Sequence, residues 1–122
     1  MSFRFIPGNK DEIIDKSFNQ SDLFNNPVIS RVVYPTGTGK IKYAGVKISD
    51  NTINLQAVKL HKSDSLAIRL LNPCKVTKQF TVLIPSMNAE AEVAIKPKAI
   101  KTFIVKNGSG KFSESDLLER DW

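Results

Sequence analysis

The sequence predicts a mostly β protein: an antiparallel β-sandwich of about eight short strands with one short helix near the N-terminus. Three observations lead there. Runs of β-branched and aromatic residues recur at close spacing from residue 28 to residue 105. Each run stops at a turn signal, among them Pro35-Thr36-Gly37-Thr38-Gly39, Ser49-Asp50-Asn51 and Asn72-Pro73. No apolar stretch approaches the length that crosses a bilayer as a helix.

Taken in order, Phe3, Arg4, Phe5 and Ile6 alternate as a short entry strand closed by Pro7-Gly8. Residues 9–24 form the helical candidate. Asn9 and Glu12 have the spacing of a capping box, and Ile13, Ile14 and Phe18 fall on one helix face. Asn19-Gln20-Ser21-Asp22 weakens that helix and Asn25-Asn26-Pro27 ends it, leaving two or three turns.

Residues 28–34 then read as a strand, as do 40–48, where the apolar phase slips at Ala44-Gly45 in the manner of a bulge. Residues 52–60 alternate Ile53, Leu55 and Ala57 with Asn54 and Gln56. The run from Ser65 to Leu71 ends at Asn72-Pro73, where proline lacks the donor a central ladder needs. Residues 79–84 follow, and the pair reads as a hairpin around Asn72-Pro73. Two more runs, 91–96 and 99–105, flank Pro97, and a tail follows Asn107-Gly108-Ser109-Gly110. The organisation expected is one domain over 1–122, with 1–27 as entry strand and helix and 28–119 as sandwich.

Composition narrows the function classes. The chain carries a net charge of +6, with lysines spread singly between apolar residues. That pattern keeps sheet surfaces and edges soluble, and it lacks the basic cluster with aromatics that nucleic-acid binding needs. Neither nucleic acid nor membrane is expected as a partner. The single cysteine, Cys74, permits no internal disulfide, and no leader-like segment opens the chain, so the cytoplasm is the expected compartment.

Candidate chemistry is sparse. Thr36-Gly37-Thr38-Gly39-Lys40 resembles the end of a phosphate-binding loop, but Tyr34 stands where the first glycine belongs and Ile41 follows the lysine. His61 and Cys74 are the one histidine and the one cysteine, too few for a zinc site without acids to complete it. Nearly all the acids fall in turns, in the helical segment or in the tail, with no buried pair in evidence for glycoside chemistry. No catalytic residue and no metal ligand is therefore assigned.

The order of motifs carries more. Asn54-Leu55-Gln56-Ala57-Val58-Lys59, a polar turn, and Leu66-Ala67-Ile68-Arg69-Leu70-Leu71-Asn72-Pro73 resemble the C-terminal β-domain of family 38 glycoside hydrolases, the α-mannosidases. Leu71 replaces that family's usual aromatic. Phe24-Asn25-Asn26-Pro27, Ile95-Lys96-Pro97-Lys98-Ala99-Ile100-Lys101-Thr102-Phe103 and Ser115-Asp116-Leu117-Leu118-Glu119 resemble further motifs of that domain in the same order, and Phe3-Arg4-Phe5-Ile6-Pro7 resembles its entry.

The resemblance implies a non-catalytic module. In that family the aspartate nucleophile and the His/Asp zinc ligands lie in a preceding α/β domain, and none of those motifs occurs here. The chain alone is then not expected to be active and holds no cofactor, zinc belonging to the parent enzyme's catalytic domain. Its expected partner is the catalytic domain or subunit of an α-mannosidase, with self-association as another way to cover apolar surface. Arg69, Asn72 and Pro73 are expected to serve as structural anchors. The alternative is a stand-alone carbohydrate-binding sandwich, with Tyr34, Tyr43 and Trp122 as the aromatics available for stacking on sugar.

Overall fold

The computed structural model describes the chain apart from residues 1, 2, 4, 33, 35, 36, 40–43, 63 and 120–122. It divides into two compact units, Met1–Tyr43 and Ala44–Trp122.

Among its described residues the first unit contains one helix, α1 (Lys10–Asn25). Asn9 caps it as its spacing suggests, its side-chain oxygen accepting the Glu12 N–H at 3.0 Å. At 16 residues the helix outruns the two or three turns expected. Polar residues that were expected to weaken it instead tie its last turn. Asn25 Nδ2 donates to the Ser21 hydroxyl at 3.3 Å, and Asn26 Nδ2 to Asp22 Oδ1 at 2.8 Å. Pro27 then prevents continuation. Ile13 and Phe18 are half-buried, while the side chain of Ile14 lies outside the described residues.

Two expected strands do not form among the described residues of this unit. Phe3, Phe5 and Ile6, and likewise residues 28–32 and Tyr34, belong to no strand. High β-propensity favours a strand only where a neighbouring strand and a packed face exist to receive it. Val28, Ile29, Val32 and Tyr34 are instead between 84% and 94% exposed.

Among its described residues the second unit has seven strands in two antiparallel sheets and one 3-10 turn, consistent with a sandwich-like fold. The strands are β1 (Lys47–Ile48), β2 (Asn54–Lys62), β3 (Ser65–Leu71), β4 (Lys78–Ile84), β5 (Ala89–Ile95), β6 (Ile100–Lys106) and β7 (Phe112–Ser115). The smaller sheet has the order β1-β4-β5 and the larger β2-β3-β6-β7. Of the run expected at 40–48, residues 40–43 lie outside the described part, Ala44 and Gly45 are not in a strand, and Lys47–Ile48 pairs with β4. Register slips occur instead in β2, between Leu55 and Ala57 and between Leu60 and Lys62.

The expected hairpin of β3 with β4 is corrected by this topology. β3 pairs with β2 and β6, whereas β4 pairs with β1 and β5. Residues 65–84 and 89–106 thus form the two arms of one long hairpin, turned at its tip by a 3-10 turn (Pro85–Met87) and Asn88 in the left-handed conformation. Halfway along, both arms leave one sheet and enter the other. The proximal half, β3 with β6, belongs to the larger sheet, and the distal half, β4 with β5, to the smaller. Proline stops a ladder in the same way whether the next strand turns back or crosses over, so Asn72-Pro73 alone does not separate the two outcomes.

Alternation along the strands builds the core. Ile68 and Leu70 of β3, Phe80, Val82 and Ile84 of β4, Val93 and Ile95 of β5, and Phe103 and Val105 of β6 form one buried cluster. The outer face of the larger sheet is also shielded at its centre, with Ala67, Thr102 and Ile104 all buried.

Candidate functional site

Three places in the second unit gather chemistry: a corner, a clamp and a cleft. At the corner, Asn72 is fully buried where β3 leaves its sheet. Its Nδ2 donates to the carbonyls of Val76 at 2.8 Å, Ile95 at 3.0 Å and Lys96 at 3.1 Å. Its Oδ1 accepts the Cys74 N–H at 3.0 Å, and its own N–H reaches the Ala99 carbonyl at 3.0 Å. One amide thus satisfies carbonyls on both crossing arms, groups that the missing ladder would leave bare. Pro73 follows it, with its carbonyl accepting from Lys98 Nζ. Cys74 is buried beside this corner.

The clamp lies on the outer face of the larger sheet. Arg69 Nη2 donates to the Leu117 carbonyl at 2.9 Å and to Glu119 Oε1 at 3.1 Å, and its Nε lies 3.3 Å from Thr102 Oγ1. Lys59 Nζ stands 2.8 Å from Glu119 Oε1, and His61 Nδ1 is 3.8 Å from Oε2. Lys59 and His61 are alternate residues of one strand and so share a face. Glu119 has a left-handed φ of 59°, and its N–H closes a turn onto the Asp116 carbonyl. The carboxylate, 10% exposed, is held among three basic side chains and ties the C-terminal turn to the sheet.

Sequence reading did not single out Glu119. Its partners lie 50 to 60 positions away, and only the alternation of Lys59 with His61 hints at a polar outer stripe. A second acid, Asp50, is settled locally. Burial by itself pushes its carboxyl up, but bonds from the Thr52 hydroxyl and N–H, then Lys78, outweigh it and hold the group below the usual carboxylate range. Those bonds are 2.6 Å and 2.8 Å long, and Lys78 Nζ lies 3.2 Å away.

The cleft, of about 560 Å³, opens between β5 and β7, one edge strand of each sheet. Phe103 and Phe112 meet edge to face on its floor with centroids 6.4 Å apart. Residues 90–94 of β5 line one side. Opposite them Lys101 Nζ pairs with Glu114 Oε2 at 2.7 Å. Gly110 closes one end, with a φ of 63° and the Asn88 carbonyl 3.4 Å from where a Cβ would stand.

The other sequence candidates are dispersed. Tyr34 is 92% exposed in the first unit, while Tyr43 and Trp122 lie outside the described residues. In the glycine loop, Thr36 and Lys40 lie outside them as well, and Gly37 and Gly39 border open space. Among the described residues, no group of three or more His, Cys, Asp or Glu is placed to hold a metal ion. Nor, among them, is any helix long and apolar enough to cross a membrane. Comparison with protein-family models, curated proteins and solved structures finds no match for this chain.

Proposed function

We propose that the chain is a non-catalytic β-sandwich module of an α-mannosidase-like glycoside hydrolase, working in the cytoplasm and docking against the enzyme's catalytic part. The observation that carries this is an uncovered apolar strip on β2. Leu55, Val58 and Leu60 lie directly opposite Leu70, Ile68 and Leu66. Opposite residues of an antiparallel pair point to the same face, so the strip continues the core face.

Yet these three side chains are 38%, 46% and 73% exposed. The cleft places β5 beside β7, so the smaller sheet reaches toward β2 only through β1, two residues long. A hollow of about 240 Å³ at Leu60, Leu66 and Met87 extends the strip toward the hairpin tip. An apolar core face left open in this way is suited to cover by another domain. The ordered motifs, from Asn54-Leu55-Gln56-Ala57-Val58-Lys59 to Ser115-Asp116-Leu117-Leu118-Glu119, point to the parent.

Co-expression with an α-mannosidase catalytic portion encoded beside this chain tests the reading. The expected result is co-elution as one species that hydrolyses an aryl α-mannoside, and its loss in Val58→Asp/Leu60→Asp with the thermal midpoint kept. Separate elution, or zinc-supported mannoside hydrolysis by the chain alone, overturns it.

A further inference from the structure

The two long free edges of the sandwich are protected to different degrees. β2 carries Lys59, His61 and Lys62 and two register slips along its length. Lysines and bulges are devices that keep an edge from pairing with another strand. β5 has neither. Its sequence, Ala-Glu-Ala-Glu-Val-Ala-Ile, contains no lysine and no proline. Its register against β4 runs without a slip from Lys78↔Ile95 to Ile84↔Ala89. It is also the edge that borders the 560 Å³ cleft.

We propose that β5 is a strand-addition site, taking an extended polypeptide segment of alternating basic and apolar residues as a fourth strand of the smaller sheet. The pleat assigns the chemistry. Ala89, Val93 and Ile95 are buried, whereas Glu90 and Glu92 on the opposite face are exposed. A strand laid beside β5 repeats that alternation. Its outward side chains stand next to Glu90 and Glu92, where cross-strand pairs of opposite charge stabilise. Lysine or arginine belongs there. Its inward side chains enter the cleft over Phe103 and Phe112, where apolar groups belong. Among the described residues no strand pairs with the outer side of β5, so its outward N–H and C=O groups supply the ladder bonds of strand addition.

Charge also selects against one occupant. Antiparallel pairing of β5 with a second copy of itself centred on Ala91 or Glu92 sets glutamate opposite glutamate, and like charges in that position destabilise. Those two central registers are disfavoured for a second copy, whereas a basic segment meets opposite charge in either. This surface lies on the side of the sandwich away from the β2 strip and does not depend on the α-mannosidase parentage.

The test titrates the full chain with a labelled peptide as long as β5 that alternates lysine and valine, followed by anisotropy and backbone amide shifts. Saturable binding in the micromolar range is expected, with shifts concentrated at residues 89–95 and 112–114. Glu90→Lys/Glu92→Lys should weaken binding about tenfold or more while leaving the thermal midpoint unchanged. N-methylation of alternate peptide residues should abolish binding in one phase and spare it in the other, because only one phase faces the ladder. Equal binding of a peptide with its lysines and valines in two blocks overturns the proposal, as does equal binding by the double variant. So does self-association of the chain that the double variant abolishes.

Discussion

The corner at Asn72 and the clamp at Glu119 perform similar mechanical tasks by different physics. Each fastens a segment to a sheet that offers it no ladder. Asn72 does so with a neutral amide, fully buried, whose donors and acceptor all meet backbone groups. Glu119 does so with a carboxylate among Lys59, His61 and Arg69, and Lys59 is still 56% exposed. In the first case no solvent replaces a lost partner, so removal leaves bare carbonyls. In the second, water and salt compete most for the exposed Lys59 and less for the partly buried Arg69. A buried neutral hub should therefore matter more to stability than a better-populated ionic cluster at the surface.

The largest effect expected is at the corner. Asn72→Ala leaves the carbonyls of Val76, Ile95 and Lys96 and the Cys74 N–H without their partner, and should cost about 3 kcal/mol or more in urea unfolding. The loss should be nearly independent of salt. If it falls below the loss at Arg69, the ranking of the two regions is reversed.

The clamp comes next. Arg69→Ala removes the bonds to Leu117, Glu119 and Thr102 and should cost about 1–2 kcal/mol, less at high salt. Arg69→Lys should recover only part, since a point charge does not reproduce a planar fork reaching two oxygens. Faster amide exchange confined to residues 116–119 in both variants would place the effect in the turn.

Asp50 sharpens the contrast through pH. Its native carboxyl lies below the ordinary range, so the stability it contributes is complete above the unfolded pKa and is lost as pH falls through the native value. Asp50→Asn should therefore cost about 1 kcal/mol near neutrality, and the gap should close below about pH 4. A gap that widens on acidification contradicts this assignment.

The smallest effect is expected at the cleft. Glu114, 55% exposed, pairs with Lys101 on the side opposite β5, and Glu114→Ala should shift stability by less than about 0.5 kcal/mol. A larger loss would show that the cleft is a structural joint and not an open surface.

Much of the fold follows from local chemistry that a sequence displays. Asn9 with Glu12 predicts the start of α1, and proline at 73 predicts where β3 ends, because caps and ladder stops act within a few residues. The β runs from 54 to 106 appear where alternation places them. Local chemistry was not sufficient in two other stretches. Residues 28–34 are rich in β-branched side chains, yet their described members form no strand. Phe112–Ser115, with two serines and a glutamate, becomes β7 because β6 offers it a free edge.

What the sequence by itself determined is thus the start of the helix, the end of β3 at proline 73, and the β character of residues 54–106. Tertiary structure decided which strands pair and which polar groups meet. Asn72-Pro73 suits a hairpin and a crossover equally; the outcome rests on carbonyls at Ile95 and Lys96, 23 and 24 positions away. Glu119 is one acid among many in the sequence until β2 and β3 bring Lys59, His61 and Arg69 around it. The reason is one of range: caps and turns are satisfied within a few residues, whereas the partners of a buried amide or a clamped carboxylate exist only once distant strands have packed.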